Sequence, residues 1–190
     1  MLHFLILRGS AAAATVLLAA TPWGAAPANA DAADCASANK ATLALQQIPN
    51  HQYVTSVEPG SKGEPITMEI ITLTDAKYMG SNGNWTKSSF NSQQAVREEQ
   101  ERIDKSMRRA CRFLRDESVH GEPTAVYSVH DETPGAKSDT QIWVAKRNGL
   151  PVKLETDITF SGTNSKTHIS DRIDLDNVKA PSHFSISAAG

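Results

Sequence analysis

The 190-residue sequence lacks an excess of basic charge, and it lacks the local motifs of common enzymes and metal sites. Lys and Arg number 19 against 21 Asp and Glu, so no binding surface for nucleic acid is predicted. There is no G-x-S-x-G motif, and no two histidines stand at HxxxH or HxH spacing. We therefore expect a protein that is not an enzyme, with no catalytic residues, no metal and no cofactor.

One long apolar run is present, and it lies at the N-terminus. Arg8 precedes the run at 11–20, Pro22 follows it, and small residues occupy positions 28 and 30. This pattern predicts a secretory signal peptide over residues 1–30, with cleavage before Asp31. An uncleaved membrane anchor is the alternative, but the run is shorter than the roughly 20 residues that span a bilayer. We expect a periplasmic or secreted protein of a Gram-negative bacterium, with no transmembrane segment after signal removal.

A lipoprotein acylated at Cys35 is a further alternative, although the residues before Cys35 do not form a lipobox. The mature chain would carry a formal charge of −3, because the signal peptide contains Arg8 and no acidic residue. Its length suits one domain with a real core, which we place at 31–181. Residues 182–190 are small and polar, so a flexible tail is predicted there.

The sequence has two cysteines, Cys35 and Cys111. In an exported chain such a pair is most simply interpreted as one disulfide, which would tie the N-terminus to the middle of the chain. A redox-active pair is the alternative hypothesis. It lacks CxxC spacing and a thioredoxin-like βαβ pattern.

The clearest structural pattern is a β-hairpin over Gln141 to Phe160. After Asn148-Gly149, apolar residues fall on even positions and charged residues on odd ones, which indicates a half-buried strand. Asn-Gly tolerates positive φ at both central positions, so a type I′ turn is predicted. A second Asn-Gly, at 82–83, predicts another hairpin.

Two helices are predicted, at 34–47 and at 91–110. In the longer one, apolar residues recur at helical spacing among charged residues, with Glu98 and Arg102, and Glu101 and Lys105, placed for pairing. It is interpreted as a solvated helix covering one sheet face, or as a movable lid or partner-docking helix. The other segments predict strands at 53–57, 66–70, 112–119, 124–130 and 167–175, with the first two joined by a turn at 60–63.

Acidic residues are interpreted mainly as solvated charge. The pairs Asp131 with Glu132 and Asp174 with Asp176 fall in predicted turns or on polar strand faces. Asp171 shares a strand face with Ile169 and Ile173, so it is expected at the sheet margin or hydrogen-bonded, because an unpaired buried carboxylate is costly.

Several segments together resemble bacterial periplasmic proteins of the LolA/LolB-like superfamily, the lipoprotein-sorting type. They are Cys111-Arg112, His120 to Pro123 before Tyr127, Gln141 to Val144, Gly149 to Lys153, Arg172 to Asp174, and Asn177-Val178 with Pro181. The resemblance covers most of the mature chain. It implies an α+β fold in which a strongly curved antiparallel β-sheet, an incomplete barrel, is packed against one or two helices. It also implies a cavity that holds a lipid or the acyl chains of a lipoprotein.

The leading hypothesis is accordingly a protein that holds a lipid or acyl chain between the sheet and the 91–110 helix. Candidate partners are a lipid, a lipoprotein acyl chain or an envelope protein. The alternative is a protein-interaction or envelope-stress module without a ligand. Nine residues are predicted to line the ligand space, although each is equally well explained as ordinary core: Trp143, Leu150, Val152, Leu154, Ile158, Phe160, Val96, Ile103 and Met107.

The signal-peptide interpretation predicts the mass of the exported protein. Expression with residues 1–30 in a Gram-negative host should yield a periplasmic chain whose N-terminal residue is Asp31, measured by intact mass and N-terminal sequencing. A membrane-bound product that retains Arg8 would show an uncleaved anchor. A product acylated at Cys35 would show a lipoprotein.

Overall fold

The computed structural model describes residues 32–58, 64–162 and 165–186. The predicted signal peptide and the predicted 60–63 turn lie outside these ranges. The described residues form two helices, α1 (Ala32–Leu45) and α2 (Ser92–Asp104), and one sheet. The strands are β1 (Asn50–Val57), β2 (Ile66–Thr72), β3 (Ala76–Ser81), β4 (Asn84–Ser89), β5 (Arg108–Val119), β6 (Glu122–Thr133), β7 (Ala136–Ala145), β8 (Pro151–Phe160), β9 (Lys166–Asp174) and β10 (Ser185–Ile186).

The strand order is β10-β4-β3-β2-β1-β9-β8-β7-β6-β5, and the sheet does not close into a barrel. Neighbouring strands are antiparallel except β10 and β4. The predicted α+β fold, an open curved antiparallel sheet packed with helices, is therefore confirmed. No helix among the described residues combines the length and the apolar character needed to cross a membrane.

Helix α1 packs on one face of the sheet, which we call the inner face. Ala38 and Ala41 are almost fully buried and contact Val129, Ile142 and Val144. Small side chains let the helix axis approach the strands closely, so this core is built around alanine on one side and branched residues on the other. The opposite face of the sheet is called the outer face.

The N-terminus of α1 is fastened to edge strand β5 in two ways. Cys35 and Cys111 form the predicted disulfide, with a Cα–Cα distance of 4.9 Å across 76 residues of sequence. One residue earlier, the Asp34 carboxylate accepts a 2.7 Å hydrogen bond from the backbone N–H of Phe113. The helix is thus fixed where β5 would otherwise present an unpaired donor.

A second core cluster lies at the other end of the sheet. Ile71, Ala76 and Tyr78 are buried, and Trp85 and Val178 pack against them. The ring of Phe184 stands edge-on to Tyr78 at 5.1 Å, and β10 pairs with β4. The structure thus gives defined contacts to part of the segment 182–190, of which 187–190 lie beyond the described residues.

The predicted helix at 91–110 ends earlier than its apolar spacing indicates. Lys105 caps α2, and the backbone N–H of Met107 already bonds the carbonyl oxygen of Glu132. Arg108 and Ala110 pair with β6 in register, and Cys111 must reach the disulfide on the inner face. Pairing with β6 and the disulfide therefore place residues 108–111 in a strand, although the apolar residues there continue the helical spacing of α2.

The hairpin of β7 and β8 is present, but its predicted type I′ turn is wrong. Among the described residues, Asn148 is not one of those with positive φ, whereas Gly149 has φ 72°. Gly149 donates to the Ala145 carbonyl and Asn148 Oδ1 accepts from the Leu150 N–H, so the loop is longer than two residues. A type I′ turn requires positive φ at both central residues. Asn82 and Gly83 meet this requirement, with φ of 51° and 79°.

The disulfide predicts a large loss of stability on its removal. The double variant Cys35→Ser/Cys111→Ser should lose roughly 4 kcal/mol in free energy of unfolding, because a long loop is no longer closed in the unfolded chain. Urea unfolding of the oxidised wild type, the reduced wild type and the variant measures this, and the last two should agree. A loss below about 1 kcal/mol would show that other contacts hold α1.

Candidate functional site

A cavity of about 350 Å³ lies between the inner face of the sheet and the two helices. It receives side chains from α1, α2 and six strands, from β5 to β9 and β1. Its lining residues are Thr42, Leu45, Gln46, Gln52, Glu99, Arg102, Arg109, Val129, Asp131, Ser138, Thr140, Ile142, Pro151, Leu154, Thr156, Ile158 and Asp171. This is the candidate site.

Part of the cavity wall is apolar, and part carries threonine hydroxyl groups. Ile142 and Leu154 face each other across β7 and β8, with Ile158 further along β8. Between them, Thr140 and Thr156 share a 3.1 Å hydrogen bond between their hydroxyl oxygens. Each hydroxyl therefore has a partner, and the wall suits a ligand that is mainly apolar with a small polar part.

A charged cluster occupies one end of the cavity. The buried Asp131 accepts hydrogen bonds at Oδ2 from Arg102 Nη1 at 3.0 Å and from Arg109 Nη1. Arg102 also forms two bonds to Glu99, at 2.7 and 2.9 Å, and Arg109 donates to Asn39 Oδ1 on α1. The cluster thereby joins α1, α2, β5 and β6. The prediction that Asp131 is solvated charge is wrong, because this carboxylate is 4% exposed.

The pKa values of the two arginines are shifted in opposite directions. The hydrogen bonding that Arg102 donates to Glu99 is the largest cause that raises the pKa of Arg102. Burial lowers the pKa of Arg109, and the charge of Asp131 opposes that effect. Arginine stays protonated in proteins, so both side chains carry positive charge that Asp131 and Glu99 offset.

Asp171 is the second unusual carboxylate of the cavity. It lies on β9, between β1 and β8, opposite Val54 and Leu154 on the inner face. Its buried Oδ1 has no hydrogen-bond partner among the described residues, and burial raises the pKa of Asp171 to about 7. The expectation of a marginal or hydrogen-bonded position is therefore wrong for this oxygen, which lies in the middle of the sheet.

The structure brings two of the nine predicted ligand-binding residues into the cavity, Leu154 and Ile158. Trp143 is buried on the outer face, where the Lys153 ammonium stands 4.5 Å from its ring centroid. Val152 lines a separate cleft beside Arg172. A ligand role for these residues stays a prediction.

The other five predicted residues lie apart from the cavity. Leu150 precedes β8 in the loop, and Phe160, at the far end of that strand, is 45% exposed. On α2, Ile103 is buried and Val96 is half-buried, and neither lines the cavity. Met107 follows the helix and is 66% exposed.

Arg102, Arg109 and Asp131, the charged cluster of the cavity, are among the lining residues that the sequence analysis did not place in a ligand site. A usable signal was present: Arg109 is two residues from Cys111, and Asp131 is two residues from Val129, so each shares a strand face with a core residue. Opposite charges on the buried face of two paired strands indicate a buried ion pair, but Arg109 falls within the predicted 91–110 helix, so this pair was not predicted. Of the predicted helical pairs, Glu101 with Lys105 forms, whereas Arg102 turns to Glu99 and Asp131.

Across the part of the chain that the structure describes, no group of three or more His, Cys, Asp or Glu side chains could hold a metal ion. On the outer face, His130 lies beside Glu132 and Asp139, and His168 lies beside Glu155 and Asp157. His130 Nδ1 lies 2.8 Å from Asp139 Oδ1, and His168 Nδ1 lies 2.8 Å from Asp157 Oδ1.

Similar proteins were found at the level of the fold. No protein-family model and no curated protein matches the chain. MucB in complex with MucA shows 12% identity and a TM-score of 0.48, with 77% of this chain covered. The Mycobacterium tuberculosis lipoprotein LppX shows 11% identity and a TM-score of 0.42, covering 78% of this chain and 98% of that chain. A LolA superfamily protein from Nitrosomonas europaea shows 9% identity and a TM-score of 0.23, covering 70% of this chain and 88% of that chain.

This chain spans 57% of the length of the MucB chain. A putative outer membrane lipoprotein-sorting protein domain from Vibrio parahaemolyticus is also among these matches, with 7% identity and a TM-score of 0.27, covering 76% of this chain and 93% of that chain. The likeness concerns the arrangement of the fold.

The raised pKa of Asp171 predicts a pH-dependent stability. Between about pH 4 and pH 7 the folded protein holds a proton that the unfolded chain has released, so rising pH favours unfolding through this group. The variant Asp171→Asn removes the effect. Its free energy of unfolding relative to wild type should rise by roughly 3 to 4 kcal/mol from pH 4 to pH 8.

Urea unfolding over this pH range measures the difference. Asp174→Asn is the matched control, because Asp174 lies on the same strand with its carboxylate 44% exposed, and it pairs with Arg172. For Asp174→Asn, the free energy of unfolding relative to wild type should change little between pH 4 and pH 8. A constant difference between Asp171→Asn and wild type at all pH values would contradict a buried, uncompensated Asp171.

Proposed function

We propose that this protein is an exported, non-enzymatic binding protein that holds a lipid or acyl chain in the inner-face cavity. In this proposal, residues 1–30 are removed on export, and residues 31–181 act as a single domain. The observation that carries the proposal is the cavity itself, a space of about 350 Å³ beside the apolar side chains of Leu154, Ile158 and Ile142. That volume falls within the range of small-molecule sites.

The apolar wall gives an alkyl chain a favourable place to lie. Val129, Ile142 and Leu154 come from three adjacent strands, and Leu45 of α1 adds to them. Each buried methylene of a ligand contributes about 0.8 kcal/mol of transfer free energy, before the cost of immobilising the chain. A segment of several methylenes is therefore enough for measurable binding.

A protein-interaction module is the second candidate, and a different surface favours it. The inner face of β2 and β3 carries Ile66 and Met79, exposed at 54% and 46%. Strand pairing places Met68 and Ile70 on the same face, because Ile70 is opposite Met79. An apolar strip of this kind, next to the cavity and not covered by α1, suits contact with another protein.

The ligand hypothesis predicts saturable binding of an uncharged apolar probe. The mature chain, residues 31–190, should bind N-phenyl-1-naphthylamine at one site, measured by its fluorescence increase. Ile158→Trp should weaken this binding about tenfold or more, because the larger ring fills the cavity. Thr159→Trp is the matched control, since Thr159 is the next residue along β8 and is not among those that line the cavity.

Two results would contradict the ligand hypothesis. One is the absence of saturable probe binding together with an apo mass in native mass spectrometry. The other is equal loss of binding in Ile158→Trp and Thr159→Trp, which would place the probe elsewhere. Either result would favour the protein-interaction module.

A further inference from the structure

The charged groups that line the cavity differ in whether a charged or polar partner lies beside them. Arg102 has carboxylate partners in Glu99 and Asp131, and Arg109 has Asp131 together with the Asn39 amide oxygen. No cation among the described lining residues is without such a partner. A ligand with an anionic head group would therefore meet arginines whose charge protein carboxylates already offset.

Asp171 is in the opposite situation. Its paired neighbours on the inner face, Val54 and Leu154, offer no hydrogen-bond donor. Gln52 already donates to Asn50 Oδ1, and the Thr156 hydroxyl is paired with Thr140. The buried Oδ1 of Asp171 therefore has no hydrogen-bond donor among the described residues. Asp131 Oδ1 also lacks a donor there, but Oδ2 of that carboxylate is bonded to Arg102 and Arg109, whereas no cation in the described part of the chain pairs with Asp171.

We propose that the ligand of this cavity is an amphiphile with a protonated amine, which Asp171 binds as an ion pair while Leu154 and Ile158 contact its alkyl part. The inference rests on the proposed ligand-binding function and names the chemical class of the ligand. An ammonium group supplies three hydrogen-bond donors and a positive charge. It would therefore give this carboxylate both a hydrogen bond and a counter-charge. An uncharged head group supplies at most the hydrogen bond.

The position of Asp171 relative to the apolar wall supports this pairing. Leu154 is directly opposite Asp171 across β8 and β9, and Ile158 lies further along β8 in the same cavity. An alkyl chain on these residues would place its polar end beside the carboxylate. In a site partly screened from water, such an ion pair is stronger than the same pair on a surface.

The titration of Asp171 adds a pH signature. With a pKa raised to about 7 by burial, Asp171 is mainly anionic above that pH and mainly neutral below it. The other charged groups facing the cavity are Glu99 and Arg102 on α2, Arg109 on β5 and Asp131 on β6. These are paired with one another, so the pH dependence of amine binding should follow Asp171.

The test compares three ligands that share one alkyl chain: decylamine, decanol and decanoate. Each displaces N-phenyl-1-naphthylamine from the mature chain at pH 8 and at pH 5.5, in wild type, Asp171→Asn and Asp174→Asn. At pH 8 wild type should prefer decylamine about tenfold or more over both other ligands. The preference should fall by about tenfold at pH 5.5, because Asp171 is then protonated.

The variants locate the effect. Asp171→Asn should lose the preference for decylamine at pH 8 and still bind decanol and the probe, which also shows that it is folded. Asp174→Asn should behave as wild type, since its carboxylate lies outside the cavity and pairs with Arg172.

Other outcomes overturn the inference in distinguishable ways. Equal affinity for the three ligands, or tighter binding of decanol or decanoate, overturns the amine and leaves the ligand-binding function in place. An amine preference that persists in Asp171→Asn overturns the role of this carboxylate. No binding of the probe to wild type overturns the proposed function and the inference together.

Discussion

The structure depends on one buried carboxylate that two arginines share. Asp131 on β6 accepts from Arg102 on α2 and from Arg109 on β5, and Arg109 continues to Asn39 on α1. Removing one charge from such a buried group leaves the others uncompensated, which costs more than the loss of one contact. Both helices are therefore positioned over the sheet by electrostatics as well as by apolar packing. The cavity lies between the sheet and the two helices that this cluster joins.

The cavity combines two chemistries that the same strands provide. Alternation along β7 and β8 places Ile142 and Leu154 on the inner face, with the Thr140 and Thr156 hydroxyls on that same face. The hydroxyls satisfy each other, whereas Asp171 on the neighbouring strand does not find a donor among described residues. Among the described residues, two carboxylate oxygens of the cavity lining lack a hydrogen-bond donor, Oδ1 of Asp171 and Oδ1 of Asp131, whose Oδ2 is bonded to two arginines. An apolar wall with such a carboxylate is selective in a way that a purely apolar wall is not.

Much of the fold could be predicted because local sequence patterns indicate its helices and strands. Period-2 alternation identified β8, the Ala-rich run identified α1, and the presence of two cysteines after a predicted signal peptide identified the disulfide. Helix α2 was overextended because Met107 continued a helical spacing, while pairing with β6 decided the backbone. The turn after β7 was mistaken because a local Asn-Gly preference yields to the loop that ends at Pro151.

The site was less predictable because it depends on which faces meet. Trp143 and Leu154 both belong to strong strands, yet Leu154 lines the cavity and Trp143 packs beneath Lys153 on the outer face. A bulge between Trp143 and Val144 adds an offset that alternation alone does not reveal. The arginine–aspartate cluster joins residues 22 to 70 positions apart, so no local window contains it.

The contact between α1 and β5 has a further consequence for association between molecules. Strand β5 is at the edge of the sheet, and an edge strand is a template for pairing with another chain. Asp34 occupies the backbone N–H of Phe113 on that edge, and the adjacent disulfide keeps Asp34 in place. Asp34 and the disulfide together thus close part of this edge. In the reduced chain, the same edge and the half-exposed Phe113 ring are open to strand-to-strand aggregation.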